Sequence, residues 1–136
     1  MAEIKWKYVS PLQDETELTV LELQYCFLIP DDLKECIMEN NAGVPSVSTL
    51  DIGGNVRKVF GGLLSFNKDD VDSFFDYVTI FESDDRKGLK MFPFAIDPAG
   101  NFFCIENGKV VLYNHESDQT TIVSNTFTDL LHKLYE

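Results

Sequence analysis

Two histidines, His115 and His132, and three cysteines, Cys26, Cys36 and Cys104, are the side chains of this sequence best suited to proton transfer or nucleophilic attack. Cys104 and His115 are the thiol–imidazole pair to test first. Between them lies Asn107-Gly108, the strongest short-range signal for a two-residue hairpin turn. That turn sets Glu106 opposite Lys109, Ile105 opposite Val110, Cys104 opposite Val111 and Phe103 opposite Leu112. His115 then shares a face with Val111 but sits further along the strand, about 13 Å from Cys104 at ~3.4 Å per residue. The spacing rules out a dyad. His132 falls on the exposed side of a terminal helical stripe, and the cysteines lack a CxxC or histidines at ligand spacing, so buried reduced thiols are expected.

The carboxylates are numerous, but their positions have structural uses. Asp31 and Asp32, and again Asp69, Asp70 and Asp72, stand where helix starts favour anions, while Asp84 and Asp85 share a polar loop with Arg86 and Lys87. No stretch has the alternating oxygens, sixth-position glycine and distant glutamate of a calcium loop. The pairs Gly53-Gly54 and Gly61-Gly62 are not followed by Lys-Ser/Thr and form no GxGxxG, and GxSxG does not occur. The reading is therefore a non-enzyme with no catalytic residue, metal or cofactor.

The elements that would hold these residues follow from patterning. "EIKWKYV" alternates as a half-buried strand with Ile4, Trp6 and Tyr8 on one side. Asp14 and Glu17 resemble a capping pair for a helix to about Cys26, with Leu18, Leu21 and Tyr25 on one face. Pro30 opens a second helix through Leu33, Cys36 and Ile37, which stops at Asn41-Ala42-Gly43, where the glycine can turn left-handed. The Gly-Gly pairs suggest a hairpin or bulged strand around Val59 to Phe66. Asn67 caps a third helix in which Val71, Phe74, Phe75 and Val78 repeat, ending before Ser83–Gly88. "MFPFAID", "NFFCIE" and "KVVLYNH" form an antiparallel meander over residues 91–115, apolar on both faces and so central and covered. Asn125 or Thr126 caps a last helix with a stripe of Phe127, Leu130, Leu131 and Leu134. The order implies one α+β domain over 1–136, with a central mixed, mainly antiparallel sheet flanked by helices.

Net charge narrows the partners. The 136 residues carry 23 acidic and 11 basic side chains, a balance of −12, so nucleic acid and anionic lipid are repelled and a basic protein is favoured, although solubility alone accounts for much acidity. With 44% hydrophobic residues the chain can close one core. It shows no secretory h-region and no membrane-spanning run, which points to the cytoplasm.

The order of motifs resembles a known family. "IPDDLKECIMENNAG" is similar to the proline-led acidic helix of the SUKH superfamily, in the branch of the fungal cell-wall-assembly regulators of Smi/Knr type. "FPFAIDPAGNFFCIE" resembles that family's central hairpin, and "VVLYNHESDQTTIVSNTFTDLLHKL" its third strand, polar turn and closing helix. The likeness runs over about residues 14–136, with Asn41-Ala42-Gly43 standing where members generally have Asn-Gly-Gly. It implies a non-catalytic α+β domain that binds through a groove on the sheet and neighbouring loops. In bacterial members it implies an immunity protein that neutralises a cognate toxin, often a nuclease. The alternative is a regulatory scaffold of the cell-wall type. The expected contact residues for a basic toxin domain are Asp69, Asp72, Asp76, Glu82, Asp84 and Asp85, with Tyr113 as an aromatic anchor.

Overall fold

The computed structural model describes residues 4–84 and 88–136. Along the chain run β1 (Trp6–Lys7), α1 (Glu17–Tyr25), α2 (Asp31–Asn40), β2 (Val44–Pro45), β3 (Thr49–Ile52), β4 (Asn55–Val59) and β5 (Gly62–Leu63). They are followed by α3 (Phe74–Tyr77), which tightens into a 3-10 turn over Val78–Phe81, then β6 (Phe92–Ile96), β7 (Phe102–Glu106), β8 (Lys109–Asn114), β9 (Gln119–Ser124) and α4 (Phe127–Lys133).

The meander is the frame. β7 and β8 pair in the register that the Asn107-Gly108 turn dictates, from Glu106↔Lys109 to Phe102↔Tyr113, with both turn residues at positive φ. The sheet extends beyond residues 91–115: β5 adds on one side and β9 on the other, in the order β5-β6-β7-β8-β9, with every named pair antiparallel. β9 was not legible because "QTTIVS" mixes threonines with two apolar residues and gives no clean alternation.

Alternate residues of these strands enter two separate clusters. Phe92, Phe94, Phe103, Ile105, Val110 and Leu112 join a large core with Leu18 and Leu21 of α1, Leu33 and Ile37 of α2, Leu50 and Ile52 of β3, and Phe127 and Leu130 of α4. Within it Phe66, Phe74 and Phe92 stack at centroid distances of 5.1 to 5.9 Å, pairs worth about 0.5–1.5 kcal/mol each beyond the area they bury. The opposite residues, Phe102, Cys104 and Val111, form a smaller cluster with Phe81 and Met91. The segment 74–81 serves both: Phe74 and Val78 point into the large core, Tyr77 and Phe81 into the small one.

Helix ends hold the layer in place. Glu22 of α1 pairs with Lys34 of α2 at 2.8 Å and accepts the Ile29 amide, closing the α1–α2 corner. Asp32 reaches from α2 to the start of α4, where its Oδ2 accepts the Thr128 amide at 2.9 Å and the Thr128 hydroxyl at 2.8 Å. Thr126 caps α4 as expected, accepting from the Asp129 amide.

Several expectations are corrected. The first strand is only Trp6–Lys7: Tyr8 has a φ of 59° and is 81% exposed, so it does not share a face with Trp6. Asp14 accepts from the amide and hydroxyl of Thr16 rather than forming a capping box with Glu17, and α1 starts at Glu17. After α2 it is Ala42, not Gly43, that turns left-handed, at φ 66°. Gly43 is needed for a different reason: a Cβ there would meet the Asn40 carbonyl at 2.8 Å and the Trp6 ring at 3.1 Å. The hairpin is β3–β4, turning at Gly53-Gly54 and bulged between Leu50 and Ile52, whereas Gly61-Gly62 leads into β5. Cys26 is exposed at the end of α1, so only Cys36 and Cys104 are buried thiols.

The largest correction concerns the third helix. Residues 67–73 are a folded loop, and the helix proper begins at Phe74 with Ser73 at its N-cap; Val71 is 87% exposed. Asn67 does not cap a helix. Its side chain bonds instead to the Gln13 amide and the Pro11 carbonyl, far away in sequence.

Candidate functional site

Asp69, Asp72 and Asp76 are the expected contacts of this stretch and Asp70 only a helix-start acid, and the fold gives each a different place. Asp70 turns inward: its Oδ2 accepts the hydroxyls of Ser10 (2.7 Å) and Ser65 (2.6 Å) and the Asn67 amide nitrogen (3.1 Å), and these bonds hold its carboxyl below the usual aspartate value. Buried Asn41 completes the cluster by donating to the Ser10 carbonyl and Ser65 Oγ while accepting from the Phe66 amide. This group of polar side chains is a structural tie between the N-terminal segment, the end of α2 and the 65–73 loop. Asp76 has a local use as well, its Oδ2 accepting the Ser73 amide at 3.2 Å.

Asp69 is exposed and lines a shallow cleft with Gln13, Asp14, Glu17, Asn67 and Lys68. Asp72 is exposed on the other side of the loop, with a left-handed φ of 53°, and accepts a hydrogen bond from the Tyr77 hydroxyl at 2.5 Å. Asp72 therefore belongs with the small cluster, not with Asp69.

That small cluster is buried, with the partly exposed Tyr77 and Tyr113 at its rim. A row crosses the sheet in register, Gly62↔Ile96, Ile96↔Phe102 and Phe102↔Tyr113. Rings pack over it edge to face or tilted, Phe81 on Phe102 at 5.4 Å, Phe81 on Tyr113 at 5.2 Å and Tyr77 on Phe102 at 4.9 Å. Each rim tyrosine turns its hydroxyl to an aspartate: Tyr77 to Asp72, and Tyr113 to Asp118 at 2.6 Å. The hydrogen-bonded carboxylates disfavour a phenolate, so the Tyr113 phenol is raised and that of Tyr77 is pushed up to about 12. Beside them a groove of about 420 Å³ runs past Gly61, Gly62, Ile96 and Pro98, with Asp72 and Asp97 on its walls. No side chain larger than hydrogen fits at Gly61, where a Cβ would lie 2.3 Å from the Ile96 carbonyl.

Glu82 and Asp84 come together in a second cleft, of about 470 Å³, with Thr79 and Ser83. The flanks of this loop are closed by backbone bonds from Ser83 to Gly88 and from Lys90 to Phe81. Asp84 faces Lys90 at 3.6 Å, an exposed pair of small energetic weight. Asp85 lies outside the described residues.

Reactive groups do not gather at either place. Cys104 is fully buried, and burial raises its thiol well above the ordinary value; burial likewise pushes Cys36 up to about 11. His115 packs against Gly100 and bonds through Nδ1 to Asn101 Oδ1 at 2.9 Å, in the turn at the end of the sheet. Among the described residues no group of three or more His, Cys, Asp or Glu could hold a metal ion, and no helix is long and apolar enough to cross a membrane. The arrangement offers fixed acceptors, aromatic faces and negative charge, which suits it to receiving cationic side chains. Sequence reasoning missed Tyr77, Asp97 and Asp118. The five-residue spacing of Asp72 to Tyr77 and of Tyr113 to Asp118 was the available signal, but it acquires meaning only once the short helix α3 and the β8–β9 hairpin bring the partners together.

The model of the SMI1 / KNR4 family (SUKH-1) matches residues 13–133. Neither the curated proteins nor the solved structures contain a match.

Proposed function

The chain belongs to the SMI1 / KNR4 family (SUKH-1), and from that premise we propose that it is a cytoplasmic, non-enzymatic binding module, an immunity protein that neutralises a basic toxin domain. The family is generally non-catalytic. The observation that carries the reading is the acidic, aromatic surface just described, in a chain of net charge −12. An inhibitor of a nucleic-acid-cleaving toxin has to cover a cleft lined by lysine and arginine. A negative field speeds that encounter, while the Tyr77 and Tyr113 rings supply contact area with few rotatable bonds. Asp72, Glu82, Asp84 and Tyr113 are the central contacts of the proposal, Asp69, Asp76 and Asp85 its outer charges.

The test is binding of the purified protein to the basic polypeptide encoded beside its gene, measured at low and at moderate ionic strength. Capture should be tight, weaken as salt rises and involve no turnover. The triple variant Asp72→Asn/Glu82→Gln/Asp84→Asn should lose affinity at least tenfold, mainly through slower association. Unchanged capture by that variant, or several weak partners in place of one tight one, would overturn the immunity reading in favour of a regulatory scaffold.

A further inference from the structure

The two edges of the sheet are finished differently. β5 is two residues long, and the chain itself shields it: the Leu63 amide donates to the Gly43 carbonyl at 3.0 Å, and Val44 lies against Gly62. β9 is six residues long and closes the sheet order on the other side. Gln119, Thr120, Thr121 and Ile122 are exposed although successive residues point to opposite faces, and Ile122 is 62% exposed. Beyond pairing with β8, the backbone of Gln119–Val123 makes no hydrogen bond among the described residues. Natural edges are usually blunted by a lysine, a proline or a covering segment. β9 contains neither lysine nor proline, β3 and α4 approach it without a backbone hydrogen bond to Gln119–Val123, and Thr120, Thr121, Ile122 and Val123 are all β-branched. The register breaks between Val110 and Val111 and leaves Val123 as the extra residue of a bulge, so the regular edge runs over Gln119–Ile122.

Next to this edge lies an open groove of about 450 Å³, lined by Ile122, Val123, Ser124, Asn125, Asp129 and Lys133, between β9 and α4. We infer that β9 receives an extended segment of a protein partner as an added sheet strand, a segment in which lysine or arginine alternates with apolar residues. The backbone of such a segment would complete the unpaired edge, and its apolar side chains, which share one face, would enter the groove beside Val123. Its cations, on the opposite face, would lie over Ile122 and toward Glu116 and Asp118 before β9, while Asp129 and Lys133 stand together on the groove wall. A second copy of this chain is the less fitting occupant, because it would bring two bodies of charge −12 together. The inference rests on the binding-module reading above and shares only Asp118, the partner of Tyr113, with that surface.

A short synthetic peptide alternating lysine with valine is the probe, and amide hydrogen exchange of the protein with and without saturating peptide is the measurement. Exchange at Gln119–Val123 should slow at least tenfold. The variant Thr120→Lys/Ile122→Lys should abolish that protection; both positions are exposed, and a urea midpoint close to that of the unaltered protein checks that it folds. The triple acid variant Asp72→Asn/Glu82→Gln/Asp84→Asn should keep the protection, which separates failure here from failure of the immunity reading. Protection absent from β9, protection confined to the 72–84 surface, or protection that appears without peptide as protein concentration rises would each overturn the inference, the last in favour of a second copy.

Discussion

The two faces of the five-stranded sheet are made of alternating residues of the same strands, yet one is a core and the other a surface with a small core beneath it. Phe103, Ile105 and Leu112 are covered by α1, α2, α4 and the β3–β4 hairpin. Their neighbours Phe102, Cys104 and Val111 are covered by the 3-10 turn, by Leu89 and Met91, and by tyrosines whose hydroxyls reach rim carboxylates. Both faces looked equally apolar as sequence. The difference lies in what arrives from elsewhere to cover them: three helices and a hairpin on one side, and one short turn with Leu89 and Met91 on the other. A face closed by a thin cover can keep charge at its rim, because water still reaches the carboxylates there.

Truncating a ring on each face tests this most strongly. Phe103→Ala should cost about 4 kcal/mol in urea unfolding, since Phe103 packs on Phe60 at 5.0 Å deep in the large core, while Phe102→Ala should cost about 2 kcal/mol because Tyr77 and Tyr113 can settle into the space. Equal costs would break the distinction.

A smaller effect separates the acids. The folded-state pKa of Asp70 is depressed by its three donors, so its contribution is fully present above the unfolded value near pH ~4 and is lost as pH falls through the folded value. Asp70→Asn should therefore be less stable at neutral pH and show a flatter loss of stability in acid, read from unfolding midpoints across that range. An acid limb as steep as in the unaltered protein would mean that the polar tie behaves like the rim.

The smallest effect lies at the rim. In Asp72→Asn the Tyr77 phenol should titrate well below its value of about 12, near the ordinary ~10, by ultraviolet absorbance, with stability at neutral pH changed by less than about 0.5 kcal/mol. The sign is that of a raised tyrosine: its contribution is present below the unfolded pKa and disappears as pH rises through the folded one. A large stability loss at pH 7 would place Asp72 among the structural acids with Asp70.

Legibility followed the range of the deciding interaction. The β7–β8 register and the Thr126 cap depend on neighbours in sequence and could be read directly. The 67–81 segment has good helical spacing at Val71, Phe74, Phe75 and Val78, but Asn67 and Asp70 are drawn into bonds with Ser10, Pro11, Ser65 and, through Ser65, Asn41, which no local pattern records. The same holds for Gly43, whose missing side chain answers to Trp6 rather than to its own φ. Of the expected contact residues, Asp69, Asp72, Asp76 and Asp84 are exposed and Glu82 and Tyr113 half-buried; what sequence did not supply was that Glu82 and Asp84 share one cleft while Asp72 lines another.

The bonds from Asp32 to Thr128 join parts of the chain 96 residues apart, which has a kinetic meaning. Contacts of such long range are expected to form late in folding, so Asp32→Ala should leave the folding rate nearly unchanged in stopped-flow refolding. An interaction absent from the transition state governs how fast the molecule opens rather than how fast it forms. One carboxylate at the head of α2 should thus slow unfolding, and the same Asp32→Ala change should shorten the lifetime of the folded state.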